Sequence, residues 1–172
     1  NASDFTTFGS EDILTGSQAQ IFTILNSGNA DLVLSNPSTY VDISGAAAAD
    51  FIITSVPSTP IATNTSTTFT ITFNPSVAGV RDALVSVANN DLDEDPYTYA
   101  IQGFGTASPE INLQGRGVSI ANNDDTPTAI DDTDFGSEDL LTGIQPQIFK
   151  IHNTGSGSLS LTGSPLVTLS GT

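Results

Sequence analysis

The chain has 172 residues, with Lys and Arg totalling 3 against 19 Asp and Glu, and a formal net charge of −16 at pH 7. Such a surface repels phosphate backbones and anionic lipid headgroups, which are bound through clustered basic side chains, so the charge balance argues against nucleic-acid binding and membrane-surface binding. With no Cys there is no disulfide, thiolate nucleophile or zinc–thiolate site, and no stretch nears the roughly 18 consecutive apolar residues that span a bilayer.

The first element is "FGSEDILTG", Phe8 to Gly16. Here Phe8 is expected to enter a core, "GSED" to turn at the surface, and Leu14 to return to the apolar face. "QIFTILN" (Gln20–Asn26) then alternates with a period of two, which marks a half-buried strand. Further strand signals follow at "LVLS", "YVDI", "FIITS", "TTFTITF", "DALVSVA" and "YTYAIQGFG", separated by Pro, Asn, Gly and Asp. In "TTFTITF", Phe69, Ile71 and Phe73 share one face and Thr68, Thr70 and Thr72 the other. The alanines Ala46 to Ala49 make one short helical turn at most. Exposed helix formers are scarce throughout. About seven short strands between Gln20 and Gly105, joined by short loops, predict an antiparallel β-sandwich.

After "EINLQ" and the bend expected at "GRG" (Gly115–Gly117), the opening element returns as "FGSEDLLTG", Phe135 to Gly143. The offset is 127 residues, 135 minus 8, and the nine letters differ only at Ile13 and Leu140. Aligned without a gap, Phe8–Leu34 and Phe135–Leu161 share 17 of 27 positions, including Asn26/Asn153 and Gly28/Gly155. The paired text places Phe22/Phe149 and Ile24/Ile151 toward a core, and Thr23/Lys150 and Leu25/His152 toward water. Phe135 and Leu141 are expected to take the places of Phe8 and Leu14. A catalytic motif rarely needs a second copy, whereas a building unit does. The predicted organisation is a complete sandwich over 1–107 and, over 108–172, a linker with the first half of a second sandwich. Joining Ser170-Gly171-Thr172 to Asn1-Ala2-Ser3-Asp4-Phe5 gives text similar to "SGAAAADF" (Ser44–Phe51), so the chain reads as a window on a longer array. The N-terminus has neither the basic nor the apolar region of a signal peptide, as expected of a mature fragment if the protein is exported.

The runs "SPEINLQGRGVSIANNDDTPTAIDDTDFG" and "FTITFNPSVAGVRDALVSVANNDLDEDPYTYAIQGFGTA" resemble the bacterial choice-of-anchor D repeats, relatives of the ASPM/SPD-2/hydin (ASH) immunoglobulin-like domains. The resemblance implies tandem immunoglobulin-like sandwiches in large secreted or surface-anchored proteins, many of them adhesins or stalks. It implies no catalytic residue and no required cofactor.

Carboxylates are the abundant reactive groups. In "NNDLDEDPY", Asp91, Asp93 and Asp95 alternate, as side chains converging on a calcium ion would, so these three are the candidate metal ligands. The Gly and distant Glu of an EF-hand loop are missing, and a solvated acidic hairpin loop explains the same letters. His152, the single histidine, has no evident nucleophile or orienting acid, and the chain has no Trp to form a sugar platform. "NTS" at Asn64 and "NAS" at Asn1 read as ordinary loop text in a bacterial setting. The function expected is a non-catalytic extracellular spacer or filament module. The alternative is an adhesin module that grips a glycan or protein through loops, edge strands, or Tyr40, Tyr97 and Tyr99. The expected partners are neighbouring modules or subunits, engaged head-to-tail or by strand addition, because a half unit leaves unpaired backbone groups and an apolar face uncovered.

Overall fold

The computed structural model describes residues 6–36 and 38–170, and the chain divides into two compact units, Asn1–Ala107 and Ser108–Thr172. The text shared across the two ends of the chain, and the Asn1 acceptor, lie outside the described residues. Apart from one short helical turn, the regular structure of the described residues is all β.

In the first unit, seven strands build two sheets: β1 (Thr7–Asp12), β2 (Gln18–Leu25), β3 (Asp42–Ser44), β4 (Phe51–Ser55), β5 (Ser66–Phe73), β6 (Gly79–Val87) and β7 (Tyr97–Thr106). One sheet runs β1-β7-β6-β3 and the other β2-β5-β4. All neighbours are antiparallel except β1, which lies parallel to β7. This partition of strands in chain order is that of an immunoglobulin-like sandwich in which the first strand has joined the sheet of the last. The alternation in β5 is realised fully: Phe69, Ile71 and Phe73 are buried, and the intervening threonines face outward.

Phe8 occupies the middle of the core. Its ring meets Phe51 edge-on at 5.4 Å and lies 6.0 Å from Phe73, while Phe51 and Phe73 stack at 4.9 Å. Ring pairs at these separations add to the free energy of burying their area. Gly103 on β7 makes room for the cluster, because a Cβ there would come within 2.4 Å of the Phe73 ring.

Several expectations need correction. "GSED" is strand rather than turn: it continues β1, and the positive φ of Gly9 (77°) accompanies a shift in register between Thr7 and Ser10. The turn comes later, where the Asp12 carboxylate accepts from the Leu14 and Thr15 amides, and this leaves Leu14 62% exposed. "LVLS" makes only isolated bridges, Leu32 to Ile61 and Leu34 to Asn89. Ile61 precedes β5 and Asn89 follows β6, so the segment crosses between the sheets and finds no continuous partner. Tyr40, in the "YVDI" run, has a φ of 61° and stands outside β3. Ala48–Asp50 forms the single short helical turn expected.

That turn delivers Asp50 into the interior, where Arg81 of β6 binds it through Nε and the Ser76 amide donates at 3.2 Å. Burial pushes the carboxyl up, but the Ser76 hydrogen bonds and the guanidinium together hold it below the usual value.

The second unit contains β8 (Ile111–Gly115), β9 (Val118–Ile120) and β10 (Phe149–Asn153) in the order β10-β8-β9, all antiparallel. The bend at "GRG" is a tight hairpin in which Arg116 and Gly117 both have positive φ. All the buried apolar side chains among the described residues belong to the first unit. Phe149 and Ile151 are therefore exposed, against expectation, and Leu141 is 94% exposed. Phe135 is half exposed, with its ring 6.4 Å from that of Phe149. The letters match the first unit, but among the described residues no opposing sheet of the second unit buries these side chains.

Two predictions follow from these contacts. Gly103→Ala forces the Phe73 ring to move within a packed core and should cost roughly 2 kcal/mol, read as a lower Tm. Arg81→Met leaves Asp50 buried without its cation and should cost about 3 kcal/mol at neutral pH. Because the folded carboxyl has a depressed pKa, its contribution is present above the usual carboxylate range and disappears as pH falls through the folded value. Urea melts should accordingly show the two proteins converging in stability toward acid pH.

Candidate functional site

Of the residues singled out by sequence, Asp91, Tyr97 and Tyr99 meet at one side of the first unit. β2 is an edge strand of its sheet. In the other sheet, β1 pairs with β7 from Gln102 to Thr106, so among the described residues the stretch Tyr97–Tyr99 has no partner on that side. Between these two edges opens a cleft of about 550 Å³. Its walls include Phe22, Ile24, Leu34, Phe69 and Tyr99, and its rim carries Asn89, Asp91, Glu94 and Tyr97.

Phe22 is held by stacking on Phe69 at 5.4 Å and by the Tyr99 ring at 5.6 Å. The Tyr99 hydroxyl is buried and has no hydrogen-bond partner among the described residues, and burial raises its pKa. A phenol in this setting is neutral and able to donate a hydrogen bond. Tyr97 is half exposed beside it, ring to ring at 6.4 Å. Tyr40 packs against the core and is not among the residues lining the cleft.

The acidic loop is organised by asparagine. Buried Asn89 donates to the Val87 and Glu94 carbonyls, both at 3.0 Å, and accepts from the Asp91 amide at 2.7 Å. Asp95 accepts from the Asn89 amide at 3.0 Å, which gives it a turn-forming role. Asn90 reaches across to the crossing segment, accepting from the Val33 amide at 2.8 Å. Asp91 and Asp93 share a hydrogen bond between their carboxyls, which raises the pKa of Asp91. Of the three candidate ligands, only Asp91 lines the cleft. No group of three or more His, Asp or Glu side chains among the described residues stands close enough to hold a metal ion.

Asn26 was visible in the sequence only as a shared letter, yet it is buried and holds the end of β2. Its amide donates to the Ala30 and Ile61 carbonyls, both at 2.8 Å, and its oxygen accepts from the Gly28 amide at 3.0 Å. Asn153 repeats the arrangement, donating to the Gly157 carbonyl and accepting from the Gly155 amide at 3.1 Å. His152 lies on β10 with its Nε2 buried and unpartnered among the described residues.

No family model matches the chain, and no curated protein matches it. Among solved structures, the secreted serine protease VesC from Vibrio cholerae is similar over 60% of this chain, with 20% identity and a TM-score of 0.46. The chain spans 22% of that protease's length. The ASH/PapD-like domain 7 of human CEP192 is similar over 58% of this chain and 79% of its own, with 16% identity and a TM-score of 0.42. Both scores lie below 0.5, and the immunoglobulin-like description above rests on the strand order of this chain.

The Asp91 and Asp93 carboxylates stand side by side on the acidic loop. If these carboxylates and Asp95 take up calcium, millimolar calcium should raise the Tm and EDTA should reverse the rise. An unchanged melting curve refutes the assignment.

Proposed function

We propose that the chain is a non-catalytic, immunoglobulin-like structural module, a spacer or filament unit of a large bacterial cell-surface or secreted protein of the choice-of-anchor D type. The observation that carries this reading is one local structure built twice at a spacing of 127 residues, 153 minus 26: an Asn at the exit of a strand, whose side chain folds the following Gly-containing turn. The acidic surface suits the role, since a net charge of −16 keeps extended copies apart and soluble. Tandem repeats of this kind set length by copy number, and each copy contributes a fixed increment. On this reading, 108–172 is the joint and opening half of the next module, and neighbouring modules are the principal partners.

The cleft favours a second reading, an adhesin module. Its apolar wall, half-exposed Tyr97 and unpartnered Tyr99 hydroxyl are the kinds of group that grip a glycan or a protein segment.

Head-to-tail concatemers of one period, residues 8–134, separate the two. The spacer reading expects a maximum dimension from small-angle scattering that rises linearly with copy number, together with a silent glycan array. A dimension that does not grow with copy number overturns the spacer reading. Saturable glycan binding lost on Tyr97→Ala establishes the adhesin.

A further inference from the structure

The second unit displays a pairing that the first leaves open. β10 is the repeat counterpart of β2, and it is bound by β8 in the register Lys150–Gln114, Ile151–Leu113, His152–Asn112 and Asn153–Ile111. In the first unit, by contrast, the described residues place no strand along the outer edge of β2.

The backbone of β2 is oriented for such a partner. The Asn26 amide donates to the Thr65 carbonyl, so Asn26, Ile24 and Phe22 direct their polar groups toward β5. Hydrogen-bonding direction alternates along a strand, which turns the N–H and C=O groups of Thr23 and Leu25 outward. Their counterparts are Lys150 and His152. In the second unit the Thr154 amide donates to the Glu110 carbonyl at 2.8 Å, so by the same alternation Lys150 and His152 direct their backbone groups toward β8.

Two glycines supply an independent sign. A Cβ at Gly155 would come within 2.3 Å of the Ser108 carbonyl and 2.4 Å of the Glu110 nitrogen, because the chain entering β8 passes directly over it. At Gly28 the same test meets only the Asn26 oxygen, at 3.2 Å, and Gly28 has no positive φ to explain it. Asn153 tells the same story. Its side-chain oxygen accepts from the Glu110 amide as well as from Gly155, whereas the side-chain oxygen of Asn26 accepts from Gly28 alone among the described residues. Opposed residues share a face, so a β8-type strand laid along β2 would set its Leu beside Ile24 and its Ile beside Asn26. Both apolar side chains would then lie toward the cleft wall.

We propose that the outer edge of β2, from Phe22 to Gly28, seats an antiparallel strand with the sequence character of Ser108–Gly115, supplied by a neighbouring module of the same repeat. This rests on the tandem-module reading and deepens it by naming the joining strand. Main-chain bonds to Thr23 and Leu25 give affinity, and the alternating Ile and Leu give register.

The test uses the full chain and a fluorescent synthetic peptide of sequence SPEINLQGRGVSI, with a control peptide in which Ile and Leu of "EINLQ" are replaced by Asp. The expected result is saturable binding of the first peptide, at least tenfold weaker binding of the control, and slowed amide exchange at Thr23 and Leu25. Thr23→Pro removes an outward donor without touching the β5 pairing, and Gly28→Ala obstructs the lane; each should weaken binding at least tenfold. His152→Pro, which disables the corresponding edge of the second unit, should leave the Thr23 and Leu25 protection in place. The proposal is overturned if the peptide does not bind, or if Thr23→Pro and Gly28→Ala bind as the parent does. It is also overturned if the chain without peptide forms a dimer that protects both amides and that excess peptide does not displace. Concatemers that still lengthen linearly while the peptide fails would reject this seat and retain the spacer reading.

Discussion

The packing of Phe8 against Phe51 and Phe73 is the contact on which the first unit depends. Phe8 comes from the sheet of β7 and the other two rings from the facing sheet, so the cluster clamps the layers together. It also explains why β7 carries a glycine opposite Phe73, and why β1 abandons the sheet of β2 to run beside β7. A bulge at Gly9 follows Phe8 directly, in the stretch where the β1–β7 register shifts. The conspicuous nine letters thus begin with a core residue and end with a carboxylate-closed turn.

Acidity plays two separate roles in this chain. Asp50 is buried, paired with Arg81 and tied to Ser76, and it fastens the crossover turn to the opposite sheet. Asp12, Asp131 and Asp139 instead close local turns by accepting from neighbouring amides and hydroxyls. For Asp131 a hydrogen bond from the Thr133 hydroxyl holds the carboxyl below its usual value, and for Asp139 the amide of Leu141 does the same. An excess of carboxylates thus includes many committed to the backbone, and fewer are free to bind a ligand than the composition suggests.

Strands with both a strict alternation and a continuous partner were legible from sequence: β4, β5, β6 and β7 lie where the period of two put them. "LVLS" has the composition of a strand, but its partners belong to different sheets, which no local pattern reveals. Phe149 and Ile151 copy the letters of Phe22 and Ile24 without copying their burial, since burial depends on a facing layer that lies far away in sequence. The cleft was legible only in fragments. Tyr97, Tyr99 and Asp91 drew notice for their side chains, whereas the property that unites them, an unpaired edge on each of two sheets, is one of the backbone. Asn26 and Asn89 were missed because a buried amide that satisfies main-chain groups looks in sequence like any other loop asparagine.

The pairing of β8 with β10 has a consequence for where one module ends. The strand that abuts β10 lies before the nine-letter signature, separated from it by the hairpin and the acidic loop in which Arg116 donates to the Ala129 carbonyl. The repeat that the eye finds, starting at a Phe-Gly-Ser-Glu-Asp, is therefore out of phase with the repeat that folds. A cut ahead of Phe135 would separate β10 from β8, while a cut ahead of Ser108 keeps the two strands together.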